Sequence, residues 1–263
     1  MTQNAKPAGA GETGGILARQ GGGTIAYSSL AGKNPGVVFL HGFRSDMTGG
    51  KALAVEAFCR ARGQAFLRFD VSGHGQSGGR FEDGTIGAWA EDVVAALDAL
   101  TAGPQVIVGS SMGGWLMLLA ALQRRERIAG LLGLAAAPDF TEELIYPGFT
   151  PEQKRALLTE GQVVIPSDYD CGDFVITRAL IDEGRHNLLL GGPINLTCPV
   201  RLIHGQKDPD VPWQTALRLA EHLVSDDVEV TLVKNAGHRL SEPEDLTRML
   251  AVLEGLLQRV EGA

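Results

Sequence analysis

The 263-residue chain is short of the features that would place it in most other classes. It has only three cysteines, Cys59, Cys171 and Cys198, an odd number with no C-x-x-C spacing. That excludes a disulfide framework and a cysteine zinc site, and leaves reduced, inert thiols of the kind a cytosolic protein carries. No apolar run approaches the ~18 residues that a membrane span needs. Positive charge is in deficit, with 23 Lys and Arg against 31 Asp and Glu, a net charge of −8. A nucleic acid or an anionic membrane is therefore not the expected partner. His74, His186, His204 and His222 stand at no metal-ligand spacing, so no metal site is expected. Gly73-His-Gly75 lacks both a G-x-G-x-x-G pattern and a Walker lysine, and no cofactor is expected. Met1 to Gly15 is polar and rich in Gly and Ala, without a basic segment followed by an apolar one. It reads as a flexible tail with no secretory signal, and the expected location is cytoplasmic.

What is present is the composition of a globular α/β protein: 44% hydrophobic, 21% charged and 35 glycines, many of them in turns. Residues 16–19 and 24–30 read as a hairpin around Gly21-Gly22-Gly23. Val37–Leu40, Ala65–Val71, Gln105–Val108, Ile128–Ala137, Val200–Ile203 and Val228–Val233 read as strands. Helical spacing covers Thr48–Arg62, stopped by Gly63, then Trp89–Leu100, the stretch after Ser111, Trp213–Val224, and a last helix from Ser241. Ser241 and Glu244 are spaced as a capping box, with Pro243 tolerated in the first turn. Alternating strands and helices imply a mostly parallel eight-stranded sheet covered by helices on both faces. Asp139 to Leu196 is too long for a strand–helix connection. It carries a helix start at Thr150-Pro-Glu-Gln153, a second helical stretch over Phe174–Glu183, and the aromatics Tyr146, Phe149, Tyr169 and Phe174. The expected division is a tail over 1–15, a core over 16–138 and 197–263, and a helical lid over 139–196.

The organising stretch is Gln105-Val-Ile-Val-Gly-Ser-Ser-Met-Gly-Gly-Trp115. A β-branched run turns through Gly109-Ser-Ser111-Met-Gly113 into an apolar helix, the G-x-S-x-G pattern of a nucleophile elbow. Ser111 has glycine at −2 and +2, whereas Ser110 has Val108 and Met112, so Ser111 is the candidate nucleophile. The expected base is His238, between the last strand and the last helix, because imidazole can take the serine proton and return it to a leaving group. The expected orienting acid is Asp208, at the end of the preceding strand, with Asp210 in reserve as a turn or helix-start residue. Oxyanion donors are expected from the backbone N–H groups of Met112 and Phe43. His41 reads as a turn anchor without a chemical role. Ile145, Tyr146 and Trp213 are candidates for an apolar substrate pocket. Arg44 and Arg239 are either surface charge or contacts for an anionic leaving group.

Four segments carry a family resemblance: His41-Gly-Phe-Arg-Ser-Asp-Met47, Arg68-Phe-Asp-Val-Ser-Gly73, Gly109-Ser-Ser-Met-Gly-Gly-Trp-Leu-Met117 and His204-Gly-Gln-Lys-Asp208 with Val211-Pro-Trp213. Together they resemble the mitochondrial palmitoyl-protein thioesterase branch of the α/β-hydrolase-domain group, a branch also associated with acyl-glucuronide esterase activity. The resemblance runs from about Pro35 to the last helix and implies the same triad, Ser111, Asp208 and His238. The function expected is a cofactor-free serine hydrolase of carboxylic esters or acyl thioesters, acting on a small acylated molecule or an acylated protein through an acyl-serine. The alternatives are a general carboxylesterase or lipase, or a ligand receptor on a hydrolase scaffold.

Overall fold

The computed structural model describes residues 12–19, 22–166 and 172–262. The first eleven residues, Gly21, Tyr169 and Cys171, all part of the reading above, lie outside them. In chain order the elements are β1 (Glu12–Ala18), β2 (Thr24–Leu30), β3 (Lys33–Leu40), α1 (Gly50–Arg62), β4 (Gln64–Phe69), α2 (Ile86–Leu100), β5 (Gln105–Ser110), α3 (Met112–Gln123) and β6 (Ile128–Leu134). A long connection then carries a π-helical turn (Thr141–Ile145), α4 (Tyr146–Gly148), α5 (Pro151–Thr159), β7 (Gln162–Ile165), β8 (Phe174–Thr177) and α6 (Arg178–Gly184). The chain ends with β9 (Val200–Gly205), α7 (Gln214–His222), β10 (Val228–Val233) and α8 (Pro243–Glu261).

Eight strands form one sheet in the order β1-β2-β4-β3-β5-β6-β9-β10. The β1–β2 and β2–β4 pairs are antiparallel and the rest are parallel. The two-residue period of a strand divides the core. Val37, Phe39, Val106 and Val108 point to one face, where they meet Val55 of α1 and Leu253 and Leu257 of α8. Val38, Leu40 and Ile107 point to the other, where they meet Trp89 and Leu97 of α2 and Trp115 of α3. Strands apolar on both faces have to be covered twice, and these are. The parallel strands end on one edge, so the loops after β3, β5, β9 and β10 converge there. In an open parallel sheet that edge is where a crevice forms.

Four local expectations are corrected. β1 starts at Glu12, four residues into the segment read as a tail, because its backbone pairs with β2 from Glu12 opposite Leu30. β6 ends at Leu134 rather than Ala137. Phe174–Thr177 is a strand, not the start of a helix: its aromatic and β-branched residues pair antiparallel with Gln162–Ile165. Thr177 then caps α6 by accepting from the Leu180 N–H, which delays the helix to Arg178. The capping box of Ser241 and Glu244 does not form. Pro243 takes the first helical position, so the cap falls on Glu242, and the Ser241 hydroxyl donates backwards to the Arg239 carbonyl. At Thr150 the box does form: Thr150 Oγ1 accepts from the Gln153 N–H and Gln153 Oε1 from the Thr150 N–H. Among the described residues no helix is long and apolar enough to cross a membrane.

Candidate active site

β5 ends at Ser110 and α3 begins at Met112, so Ser111 alone makes the turn. It does so at φ 54°, ψ −119°, a conformation that costs a non-glycine residue about 1–3 kcal/mol. The surroundings hold it there. The Ser111 N–H donates to Leu134 O (2.9 Å), and Ser111 O accepts from Ala137 and Gly114 N–H at 3.1 and 2.8 Å. The flanking glycines are required by close approach. A Cβ on Gly109 would lie 2.4 Å from Gly113 O, and one on Gly113 would lie 2.4 Å from Leu40 O and 2.6 Å from His41 O. The G-x-S-x-G spacing is therefore a record of backbone packed on backbone.

The loop after β10 brings His238 to Ser111. The Ser111 hydroxyl lies 2.9 Å from His238 Nε2, and the opposite ring nitrogen, Nδ1, donates to Asp208 Oδ2 at 2.7 Å. The Asp208 side chain is fully buried. Its Oδ1 accepts from the backbone N–H groups of Asp210 and Val211, at 2.9 and 2.8 Å. Burial alone would raise its carboxyl. The hydrogen bonds from His204, His238 and Val211 outweigh that and hold it well below the usual carboxylate range. Asp210 is exposed and takes part through its backbone, as a turn residue. One ligand atom each from Asp208, Asp210 and His238 lies within 4.8 Å of the others. The Asp208 oxygens already face four N–H donors, so the group is organised as a hydrogen-bonded relay.

The loop after β3 passes directly over Ser111: a Cβ on Gly42 would lie 3.3 Å from Ser111 Cβ and 3.9 Å from its Oγ. His41 is the anchor of this loop. Its Nδ1–H donates to Gly42 O at 2.8 Å, and its Nε2 accepts from the Val71 N–H at 3.3 Å. Burial lowers its pKa. The His74 ring lies 5.0 Å from that of His41, tilted 50° to it, and accepts from the Arg44 N–H. Burial, then the nearness of His41, pushes it down to about 4. Both rings are neutral braces. Met112 begins α3. The Phe43 ring meets Phe81 and Phe140 edge-on, at 5.0 and 5.6 Å.

Ser111 and His238 open onto a cleft of about 640 Å³. Phe43, Phe140, Leu144, Ile145, Phe174 and Val211 give it an apolar wall; Arg44, Asp46, Lys51 and Arg239 line the polar side. Of the three pocket candidates, Ile145 is on the wall. Tyr146 and Trp213 are not. The Tyr146 ring lies under the cations of Arg185 and Lys154, at 4.8 and 5.2 Å, and Trp213 is at the N-terminal end of α7. The sequence reading missed Phe140, Leu144, Lys51 and His204. Burial pushes the thiols of Cys59 and Cys198 up to about 12 and 11, which makes them poor nucleophiles.

Comparison with known proteins decides the family. A profile of the alpha/beta hydrolase fold matches residues 35–155. The mouse mitochondrial palmitoyl-protein thioesterase ABHD10 is 44% identical over 237 residues, covering 90% of this chain and 80% of its own. The chain belongs to the α/β-hydrolases. The structure of the mouse protein superposes with a TM-score of 0.88 at 42% identity, covering 94% of this chain and 99% of the mouse one. A crystal structure of an Agrobacterium vitis S4 protein also gives 0.88, at 39% identity, covering 94% and 98%. The hydrolase is thus an enzyme of esterase or thioesterase type, closely related to ABHD10, and the expected sheet architecture holds. The cytoplasmic expectation does not. The mouse, rat and human relatives, 44%, 42% and 41% identical, are all mitochondrial by name. The expectation rested on cysteine usage and on the composition of residues 1–15.

Proposed function

We propose that this hydrolase cleaves acyl thioesters by double displacement at Ser111, with Ser111, His238 and Asp208 as its catalytic triad. The observation that carries the proposal is the hydrogen-bonded chain of 2.9 and 2.7 Å from Ser111 through His238 to Asp208, opening onto a half-apolar cleft. His238 Nε2 takes the hydroxyl proton as Ser111 Oγ attacks the acyl carbon. Asp208 fixes the Nδ1–H tautomer and stabilises the imidazolium. The N–H groups of Met112 and Phe43 hold the oxyanion, a role supported by their places at the start of α3 and in the loop over Ser111. Collapse expels the thiol, which receives its proton from His238, and His238 then activates water against the acyl-serine.

The apolar wall suits an acyl chain, and the name of the mouse relative, a palmitoyl-protein thioesterase, supports a long one. The substrate is an acylated protein or a small acyl thioester. A thiol with a pKa near ~8.5 leaves far more readily than an alkoxide, so the thioester depends less on the proton from His238. Residues 139–196 act as a lid on the 16–138 and 197–263 core, supported by the places of Phe140, Leu144, Ile145 and Phe174 on the wall.

The test is kcat/KM for a medium-chain acyl thioester and its matched oxygen ester, with Ser111→Ala beside the wild type. The expected result is a clear thioester advantage and a loss of about 10⁶ in kcat on removing the nucleophile. Equal or ester-favoured rates would overturn the thioester reading. Retained turnover in Ser111→Ala would overturn the triad.

A further inference from the structure

His238 is not the only imidazole on Asp208. His204, on β9, reaches it from inside the sheet: its Nε2 lies 3.2 Å from Oδ2, the oxygen that also faces His238, and 3.0 Å from Val211 O. A carbonyl oxygen can only accept, so Nε2 carries the proton. Nδ1 then keeps its lone pair in a fully buried place with no hydrogen-bond partner. An orphaned buried acceptor costs about 1–3 kcal/mol, and an apolar side chain of similar volume would avoid it. Apolar packing therefore gives no reason for a histidine here, and the bond to Val211 O uses only part of what its Nε2–H reaches. The shared Nε2–H does: it is the fourth donor on a buried carboxylate whose other three are His238 Nδ1 and the amides of Asp210 and Val211.

We propose that His204 is a positioning residue of the hydrolytic site, one that sets both the orientation of Asp208 and the strength with which Oδ2 pulls on the Nδ1–H of His238. The inference rests on the triad reading above. With His204 in place, Oδ2 divides its negative charge between two N–H donors. Without it, Oδ2 serves His238 alone, and the imidazolium is better stabilised. The carboxylate also loses one of the four contacts that stop it turning. The other charged groups around the pair, namely Asp210 on the same loop, Arg239 beside the base and Lys51 on α1, are unchanged by a substitution at His204, as is the Ser111 hydroxyl.

The experiment is the pH dependence of kcat/KM for His204→Leu and His204→Gln, with melting temperatures and with Ser111→Ala alongside. In His204→Leu the acid limb is expected to move to higher pH. Its kcat should fall about tenfold, the rate equivalent of one hydrogen bond to a charged group, with KM nearly unchanged. His204→Gln, which carries an N–H donor at a similar reach, is expected to restore the acid limb and most of kcat. A leucine variant with the wild-type acid limb overturns the inference. So does an equal loss in both variants that follows only the melting temperature. If His204→Leu does not fold, His204→Met, which also lacks an N–H donor, replaces it, and the low-field NMR resonance of the His238 Nδ1–H is read instead. A downfield shift is expected, and an unmoved resonance overturns the inference. Turnover by Ser111→Ala would instead bring down the triad, so the two failures are separable.

Discussion

The ammonium of Lys51 donates to the backbone carbonyl of Arg239, the residue after His238, and so ties the first turn of α1 to the loop that carries the imidazole. Ser241 Oγ donates to the same carbonyl at 2.9 Å, and Leu240 between them is held at φ 46°, a left-handed conformation that leucine disfavours. At the front of the loop, the Lys207 N–H donates to Ala236 O. The imidazole is thus fixed by ties on both sides.

Lys51→Met is expected to lower kcat by about tenfold, the cost of one charged hydrogen bond that keeps His238 in register. The pH response has a definite sign. Burial, and after it the charge of Arg239, push Lys51 down to about 8, with Asp245 opposing. Between about 8 and the ordinary lysine value, the unfolded chain therefore holds a proton that the folded chain has released. Wild-type stability should rise across that window relative to Lys51→Met. Melting temperatures of both proteins at pH 7 and pH 10 check this. A constant difference would show that the ammonium is not destabilised by its place.

His74 gives a response of the same sign on the acid side. Its pKa is about 4, so between the ordinary histidine value and 4 the unfolded chain binds a proton that the folded chain refuses. The wild type should therefore lose stability as pH falls from 6.5 to 4, by up to roughly 3 kcal/mol if the shift is fully expressed. His74→Gln should flatten that slope while keeping an acceptor for the Arg44 N–H. Urea denaturation at pH 7 and pH 4.5 measures it.

The elbow itself is testable through Gly113. Its missing Cβ would meet backbone oxygens of Leu40 and His41, which cannot move aside as a flexible side chain can. Gly113→Ala is expected to cost about 3 kcal/mol, the upper end for overpacking, and to abolish turnover by displacing Ser111. Gly255→Ala, which has open space around the added methyl, should cost nothing measurable. Denaturant midpoints of the two variants make the comparison.

What the sequence disclosed and what it hid divide along physical lines. Gly109, Ser111 and Gly113 were legible because a backbone turn with no room for Cβ atoms leaves its mark on consecutive residues. Asp208 and His238 were legible because strand ends place them in a fixed chain order. Phe174 was misread because its strand depends on pairing with Val163 and its neighbours, a contact that the local pattern of Phe174–Glu183 does not contain. His204 was passed over because its value lies in a distance to Asp208, not in a spacing. Tyr146 was misassigned for a different reason. Thr141–Ile145 forms a π-helical turn, which carries one more residue per hydrogen-bonded turn than an α-helix and changes the faces that follow. Leu144 and Ile145 reach the cleft, and the next residue leaves it.

That one-residue difference can be read out in chain-length preference. Phe174 lines the cleft with its ring under the Arg44 guanidinium, 4.6 Å away, and edge-on to Phe43 at 6.1 Å. Removing the ring takes apolar surface from the wall, at roughly 25 cal/mol per Å² of contact with a long acyl chain. Short acyl groups that do not reach it should lose little. Phe174→Ala is therefore expected to cut kcat/KM for a sixteen-carbon thioester about tenfold relative to a four-carbon one, and Leu144→Ala should shift the same ratio in the same direction. Tyr146→Ala should leave the ratio unchanged, since its ring faces Arg185 and Lys154 rather than the cleft. Kinetics over a series of four to sixteen carbons compares the three variants directly. A Tyr146→Ala enzyme that lost its long-chain preference, beside a Phe174→Ala enzyme that kept it, would place the acyl chain on the other side of the connecting segment.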